Sequence, residues 1–210
     1  EGDRTWGESA GNLSEESIIQ EISNLTGDIM QRPAAVSAIK IDGKRAHERV
    51  RAGEDVEIPA RPVTVSRFDV TELRREGDFV DLDVSVSCSS GTYIRSLARD
   101  LGEALGVGGH LTALRRTEVG PFTLDDALPL LTLEENPVLS LSLDEALARS
   151  YPVLDVTEDE ARALAMGKWL QPRGLKGTFA AVDPEGRSIA LVKEKGKRLA
   201  TVFVARPSTL

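Results

Sequence analysis

Residues able to do acid-base or anion chemistry are concentrated in one short segment near the middle of the chain. The segment from Cys88 to Arg95 reads Cys-Ser-Ser-Gly-Thr-Tyr-Ile-Arg and lies where an alternating pattern gives way to a helical one. Free N–H groups at the start of a helix favour an anion or a carboxylate nearby. Residue types alone nevertheless favour a simpler interpretation, in which Tyr93 is a rim aromatic and Arg95 is a surface charge.

Two elements must position this segment. Before it, apolar and polar residues alternate as in a half-buried strand; the apolar positions are Val80, Leu82, Val84, Val86 and Cys88. After Gly91, the spacing predicts an amphipathic helix that Gly106 ends. Its apolar face comprises Ile94, Leu97, Ala98, Leu101 and Leu105. We therefore expect a tight strand-to-helix turn at the segment.

The rest of the pattern predicts a mixture of helices and strands. Ser14 is expected to cap the first helix, and Thr157 the last. Further helices are predicted over 44–52 and 141–148. Further strands are predicted over 36–41, 63–70, 110–119, 179–182, 189–192 and 199–204. The three short strands at the end predict a small β barrel after a boundary near Tyr151-Pro152.

Composition excludes several classes of protein. The chain has 210 residues, of which 40% are hydrophobic and 29% charged, as in ordinary globular proteins and unlike disordered or fibrous ones. No apolar run approaches the roughly 18 residues of a membrane span, so we expect no membrane partner. Cys88 is the only cysteine and there are two histidines, too few for a zinc site. We therefore expect a cytoplasmic protein without a metal.

The charge is unevenly distributed. The formal net charge of -8 argues by itself against a nucleic-acid partner. However, residues 161–210 carry ten basic and only three acidic residues. This basic end fits either a solvated charge mosaic or a face that binds phosphates.

Ordered sequence blocks carry a resemblance to a known family. These blocks are Ser-Ala-Ile-Lys at 37–40 with Gly-Lys-Arg at 43–45, Ala-Arg-Pro-Val at 60–63, the Cys88 to Arg95 segment with Asp-Leu-Gly at 100–102, and Gly-His-Leu-Thr-Ala-Leu-Arg-Arg-Thr at 109–117. Residues 13–127 resemble the TruB family of tRNA pseudouridine synthases, and residues 154–207 resemble more weakly its PUA-like C-terminal domain. The resemblance implies isomerisation of uridine-55 in the TΨC loop of tRNA to pseudouridine, without metal or organic cofactor.

The resemblance also implies roles for individual residues. Tyr93 corresponds to a tyrosine beside the flipped uracil, and Arg95 to the arginine that pairs with the catalytic aspartate. Leu114 corresponds to an apolar wall of the base pocket. Other residues are implied to contact RNA: Lys40, Lys44, Arg45, His110, Arg115, Arg116, Lys195 and Lys197. His47 stands where many relatives carry tyrosine, which puts a stacking contact there in doubt.

One family motif is absent from this sequence. The motif Gly-x-Leu-Asp-Pro-x-Ala-Thr-Gly, whose aspartate is the family's nucleophile, does not occur. Neither Asp183-Pro184 nor Asp125-Asp126 has the right neighbours to replace it. We therefore expect this chain alone to be inactive and to lack the family's N-terminal catalytic segment, the only protein partner expected. The alternative hypothesis is that the chain is a non-catalytic fragment that binds RNA. A third hypothesis, a plain protein-interaction domain, would not explain the clustering of Lys and Arg.

These observations predict an α+β protein. A mixed, mainly antiparallel sheet with flanking helices would form an incomplete pseudouridine synthase fold. Residues 1–152 would be part of the catalytic domain, with a segment near 30–60 that clasps RNA. Residues 153–210 would form the PUA-like domain and bind the T-arm stem-loop of tRNA together with the first domain.

Overall fold

A computed structural model describes residues 7–33, 40–41, 44–45, 52 and 58–208. In these residues helices and strands alternate irregularly along the chain. The helices are α1 (Glu15–Asn24), α2 (Ile94–Ala104), α3 (Leu130–Glu135), α4 (Leu143–Ser150) and α5 (Glu158–Ala165). The strands are β1 (Gly27–Gln31), β2 (Lys40–Ile41), β3 (Lys44–Arg45), β4 (Arg61–Glu76), β5 (Phe79–Cys88), β6 (Glu118–Val119), β7 (Phe122–Thr123), β8 (Val153–Asp155), β9 (Thr178–Val182), β10 (Ser188–Lys195) and β11 (Arg198–Val204).

The chain divides into two compact units, residues 1–114 and 115–210. The boundary predicted near residue 152 lies inside the second unit and stays a prediction. No helix in the described part of the chain is long and apolar enough to cross a membrane.

The first unit is built on a three-stranded antiparallel sheet in the order β1-β4-β5. Ser14 caps α1, accepting a hydrogen bond from the Ser17 N–H at 3.1 Å, which confirms the predicted cap. Helices α1 and α2 pack on one face of this sheet. Their shared core consists of Ile18, Ile22, Val65, Phe68, Leu97 and Leu101. The predicted alternating strand and the helix after it are both confirmed, and the core between them holds the junction in place.

Close backbone packing fixes the C-terminal half of α2. Gly102 lies directly against the backbone of Gly108 and Gly109, and Gly109 lies against the carbonyl of Ala98, with no room for a Cβ atom at either glycine. The N–H groups of Val107 and Gly108 both donate to the Gly102 carbonyl, at 3.0 and 2.9 Å. The chain after α2 is thereby folded back along the helix.

The second unit contains a mixed four-stranded sheet in the order β11-β10-β9-β8. Strands β9, β10 and β11 are antiparallel, whereas β8 runs parallel to β9. Thr157 and Glu160 form a capping box at the start of α5, as predicted for Thr157, and Leu164 of that helix is fully buried against the sheet. The described strands form an open sheet, so the closed barrel expected from the sequence is not observed in them.

Several predicted elements were wrong. Residues 110–117 form no strand, because a strand needs a partner along its length and only Glu118–Val119 find one, in β7. Lys44–Arg45 begin no helix, since they pair with Lys40–Ile41 as β3. The first helix has Leu25 as its C-cap residue, and Gly27 opens β1.

The tight packing at Gly102 yields a stability prediction. Gly102→Ala should lower the free energy of unfolding by about 1 to 3 kcal/mol, because the new methyl group overlaps backbone that cannot move aside. The sign is informative, since glycine to alanine in a helix interior normally stabilises by about 1 kcal/mol. Urea unfolding followed by circular dichroism measures the effect. Glu103→Ala, at the next and exposed position, is the control, and an unchanged or higher midpoint for Gly102→Ala would contradict the packing described above.

Candidate functional site

The turn between β5 and α2 is tied to the neighbouring strand at Thr64. The Ser89 N–H donates to the Thr64 carbonyl at 2.8 Å, and the Thr64 N–H donates to Ser89 Oγ at 3.0 Å. Thr92 closes the turn through its hydroxyl, which donates to the Ser89 carbonyl at 2.9 Å. Gly91 has a φ of 88°, a backbone conformation that side chains with a Cβ rarely adopt. Glycine at this position therefore lets the chain turn directly from strand to helix.

A buried glutamine at the end of β1 holds the other side of the junction. Gln31 is only 1% exposed. Its Oε1 accepts from the Tyr93 N–H at 2.8 Å, and its Nε2 donates to the Tyr93 carbonyl at 3.2 Å. Both polar ends of one amide side chain therefore bind the backbone of a single residue. Sequence reasoning missed Gln31, because nothing in a lone glutamine indicates that it will be buried.

Tyr93 and Arg95 leave this junction from adjacent positions. Tyr93 is the N-cap residue of α2, has an extended backbone and is half-buried. Arg95 belongs to the first turn of the helix, and its side chain is exposed. A phenol held at the edge of the core and a guanidinium beside it can stack on a planar group, carry a proton and orient a carboxylate. The structure thus places these two predicted site residues at one rigid junction.

The loop after α2 carries two more of the predicted residues. Its glycines pack on α2, and His110 and Leu114 follow them in exposed positions. Leu114 is 59% exposed, so in this structure it does not form a closed apolar wall. Arg115 and Arg116 are also exposed, and they belong to the second unit.

The predicted basic insertion is described only in part. Lys40 and Ile41 pair with Arg45 and Lys44, so three predicted RNA contacts lie on one small hairpin. His47 lies outside the described residues, as do Arg49 and Arg51.

The two aspartate sites that the sequence excludes as nucleophiles are engaged in structural contacts. Asp126 pairs with both terminal nitrogens of Arg149, at 2.6 and 2.8 Å, and that guanidinium together with the Thr123 N–H lowers the pKa of Asp126 to about 2. Burial by itself would raise the pKa of Asp183, but hydrogen bonds from the backbone and side chain of Arg187 outweigh it and lower that pKa. Both carboxylates therefore stabilise turns of the second unit.

The basic residues of the C-terminal region fall into two groups. Four arginines form ion pairs with carboxylates: Arg162, Arg173, Arg187 and Arg206. The others form no ion pair with any residue in the described ranges: Lys168, Lys176, Lys193, Lys195, Lys197 and Arg198. Most of the unpaired charge is thus at the β10–β11 hairpin.

An exposed aromatic residue adjoins this hairpin. Trp169 is 46% exposed, and the Arg198 guanidinium lies 4.8 Å from the centre of its ring. Leu170, the next residue, pairs with Leu199 at the start of β11. Cationic and aromatic surface together is typical of sites for single-stranded nucleic acid. Nothing in the sequence alone indicates a role for Trp169, because its position next to Arg198 depends on the pairing with β11.

Known proteins match this chain over its whole length. Three family models match consecutive segments: "TruB family pseudouridylate synthase (N terminal domain)" over 1–94, "tRNA pseudouridylate synthase B C-terminal domain" over 95–151 and "tRNA Pseudouridine synthase II, C terminal" over 151–206. A protein of Corynebacterium aurimucosum named tRNA pseudouridine synthase B is 81% identical over the whole chain, which spans 71% of that protein. The chain belongs to the TruB family. A Rhodococcus jostii protein of the same name is 54% identical, again over the whole chain, which spans 69% of it.

Two solved structures are similar to this chain in fold. The chain is similar to a chain in the crystal structure of a Cbf5-Nop10-Gar1 complex, with a TM-score of 0.68 and 25% identity, over 96% of this chain and 65% of that one. A chain of the archaeal box H/ACA sRNP Nop10-Cbf5 complex gives a TM-score of 0.64 at 23% identity, over 95% of this chain and 64% of that one. The TruB family assignment and the predicted α+β pseudouridine synthase fold are thus both confirmed.

Proposed function

We propose that the chain acts in the synthesis of pseudouridine in tRNA, at uridine-55 of the TΨC loop, in the cytoplasm. The observation that carries this proposal is the match of the whole chain to relatives named tRNA pseudouridine synthase B, at up to 81% identity. In this reaction the glycosidic C–N bond of the target uridine breaks and the base is rejoined to the ribose through carbon. The base must first be flipped out of the RNA loop to reach a protein pocket.

The junction at Tyr93 supports the chemistry of this step. The Tyr93 ring would stack on the flipped uracil, and its phenol could accept or donate a proton at the carbon where the new bond forms. Arg95 can hold the nucleophilic aspartate of the family with a planar, bidentate fork. Leu114, at the end of the loop packed on α2, would cover the base when RNA is bound.

The surrounding cations support RNA binding. Lys40, Lys44 and Arg45 on the small hairpin, with His110 in the loop after α2, would contact the T-arm backbone. Arg115 and Arg116 would do so from the second unit. Lys195 and Lys197 would bind phosphates through a PUA-like domain comprising residues 153–210. Phosphate contacts supply affinity in such complexes, and the flipped base supplies specificity.

The function is tested by measuring pseudouridine directly. We expect the 210-residue chain alone to form none, because the family's Gly-x-Leu-Asp-Pro motif with the nucleophilic aspartate is not in it. The same chain, extended with the remaining part of the Corynebacterium aurimucosum protein, should convert one uridine per tRNA. Chemical mapping of pseudouridine on a T-arm stem-loop measures both, with a substrate carrying cytidine at the target position as control. Turnover by the chain alone would refute the first expectation, and an inactive extended protein would refute the proposed function.

The role of Arg95 gives a second test in the extended protein. Arg95→Lys keeps the charge but loses the bidentate fork, so kcat should fall roughly 10- to 100-fold, as expected for one strong charge-assisted hydrogen bond. RNA affinity should change little. Arg67→Lys, an exposed residue of β4 paired with Asp69, is the matched control. Wild-type turnover in Arg95→Lys would remove Arg95 from the site.

The unpaired cations of the second unit give a third test. Replacing Lys195 and Lys197 with Gln should weaken binding of whole tRNA. The slope of the logarithm of the binding constant against the logarithm of the salt concentration should become less steep, by about 0.7 to 0.9 per lost phosphate contact. Binding of an isolated T-arm stem-loop should stay almost unchanged. Arg67→Gln with Arg162→Gln removes the same charge from residues already paired with carboxylates and serves as the control. An equal effect of both double variants on tRNA would show that only net charge matters.

A further inference from the structure

Two hydrogen bonds join the side chain of Gln31 to the backbone of Tyr93. The two residues are separated by 62 positions, and the amide of Gln31 is paired at both ends with the backbone of Tyr93. A buried amide left without hydrogen-bond partners would destabilise the fold. With both partners in place the side chain can remain in the core, and it joins the end of β1 to the start of α2.

This contact determines the direction in which the side chain of Tyr93 leaves the backbone. The N–H and the carbonyl of Tyr93 belong to the peptide planes on either side of its Cα atom, so holding both planes fixes the backbone angles and the direction of the Cα–Cβ bond. The carbonyl also accepts from the N–H groups of Ser96 and Leu97, at 3.0 and 3.2 Å. The hydroxyl of Tyr93 makes no cap hydrogen bond to the helix. The backbone of Tyr93 is therefore held at both its N–H and its carbonyl, and Gln31 accepts the hydrogen bond from the N–H.

A further hydrogen bond holds the residue next to Gln31. The Arg99 guanidinium, from α2, donates to the carbonyl of Arg32 at 2.7 Å. The residue after Gln31 is thus also held against α2. Strand β1 enters the junction in one register, which its pairing with β4 reinforces at Gln31 and Arg61.

We propose that Gln31 is a positioning residue of the reaction, which acts by holding Tyr93 at the angle needed to meet the flipped base. It does not contact RNA itself, since its side chain is buried. The proposal rests on the proposed function for its catalytic consequence, whereas its structural part concerns this chain alone. Gln31→Met keeps the length of the side chain and removes both hydrogen bonds. Thr26→Val removes one hydrogen bond, from the Thr26 hydroxyl to the carbonyl of Ile22 four residues before it and away from Tyr93, and is the control.

The structural part is tested by NMR of the 210-residue chain with ring-labelled tyrosine. The chain has two tyrosines, Tyr93 and Tyr151, so two sets of ring signals are expected, and Tyr93→Phe assigns them. In Gln31→Met the Tyr93 signals should shift or broaden while those of Tyr151 stay in place. Thr26→Val should leave both unchanged. Unperturbed Tyr93 signals in folded Gln31→Met would overturn the proposal regardless of any result on activity.

The catalytic part is tested in the extended protein. Gln31→Met should lower kcat about tenfold or more with less than a twofold change in KM, because misplacing a reacting group acts on the chemical step. In the Tyr93→Phe background the same change should have much less effect, as expected for residues that act through one another. A full additional loss in that background, or a change in KM alone, would overturn the proposal. A wild-type protein without activity would instead refute the proposed function and leave the NMR result standing.

The variant Gln31→Glu distinguishes an effect on the position of Tyr93 from a general loss of protein stability. In Gln31→Glu an ionised carboxylate can still accept from the Tyr93 N–H but repels the Tyr93 carbonyl, whereas the protonated acid can donate to that carbonyl as the amide does. Because burial raises the pKa of a carboxyl group, kcat relative to wild type should recover as the pH falls through that pKa. The ratio for Thr26→Val should not depend on pH. A pH-independent ratio for Gln31→Glu would count against a role for the hydrogen bond to the carbonyl.

Discussion

The bidentate contact of one buried amide with one backbone residue is the constraint on which the candidate site depends. Gln31 lies at the end of β1 and Tyr93 at the start of α2, so their hydrogen bonds join the edge of the sheet to the helix that carries Arg95. The apolar core beneath can tolerate small shifts between helix and sheet, whereas a hydrogen bond weakens steeply when its geometry is lost. The polar contact therefore sets the angle, and hydrophobic burial supplies the stability.

Close backbone packing at the C-terminal half of α2 also positions residues of the candidate site. Gly102 and Gly109 permit backbone-to-backbone contact that no other residue would allow, and the loop leading to His110 and Leu114 follows from it. The two predicted sides of the base pocket thus depend on contacts made by residues with no chemical function. Changes at Gln31 or Gly102 would reach the site through geometry, without altering any group that meets the substrate.

Electrostatics in the second unit separates structural charges from available ones. Arginines of the basic end are mostly engaged with carboxylates, such as Arg187 with the buried Asp183. Lysines of the β10–β11 hairpin have no such partner in the described part of the chain, and Arg198 lies over Trp169. Net charge therefore says little about binding here. An acidic protein can present a local cationic surface when most of its other cations are already neutralised.

The local sequence pattern was sufficient to predict elements that depend only on neighbouring residues. The alternation before Cys88, the Ser14 and Thr157 caps and the helix after Gly91 were all predicted correctly, because period and capping are properties of neighbouring residues. Local pattern failed at 110–117, where a strand would also need a distant partner, and at Lys44–Arg45, which pair with Lys40–Ile41 and begin no helix. Residues 110–117 were predicted to form a strand, but they pair with no strand among the described residues. Strand β1 lacks a strong pattern and forms because it can pair with β4.

The sequence itself thus determined the family, the fold class and the choice of Tyr93 and Arg95 as candidate site residues, because these depend on ordered blocks of residue types. Only the tertiary structure decided which groups hold that pair in place and which basic residues remain unpaired. Gln31 meets Tyr93 across 62 residues, and Arg198 meets Trp169 through the pairing of Leu170 with Leu199. Such contacts depend on how strands and helices are brought together, and a hydrogen bond or ion pair leaves no periodic trace in either of the segments that it joins.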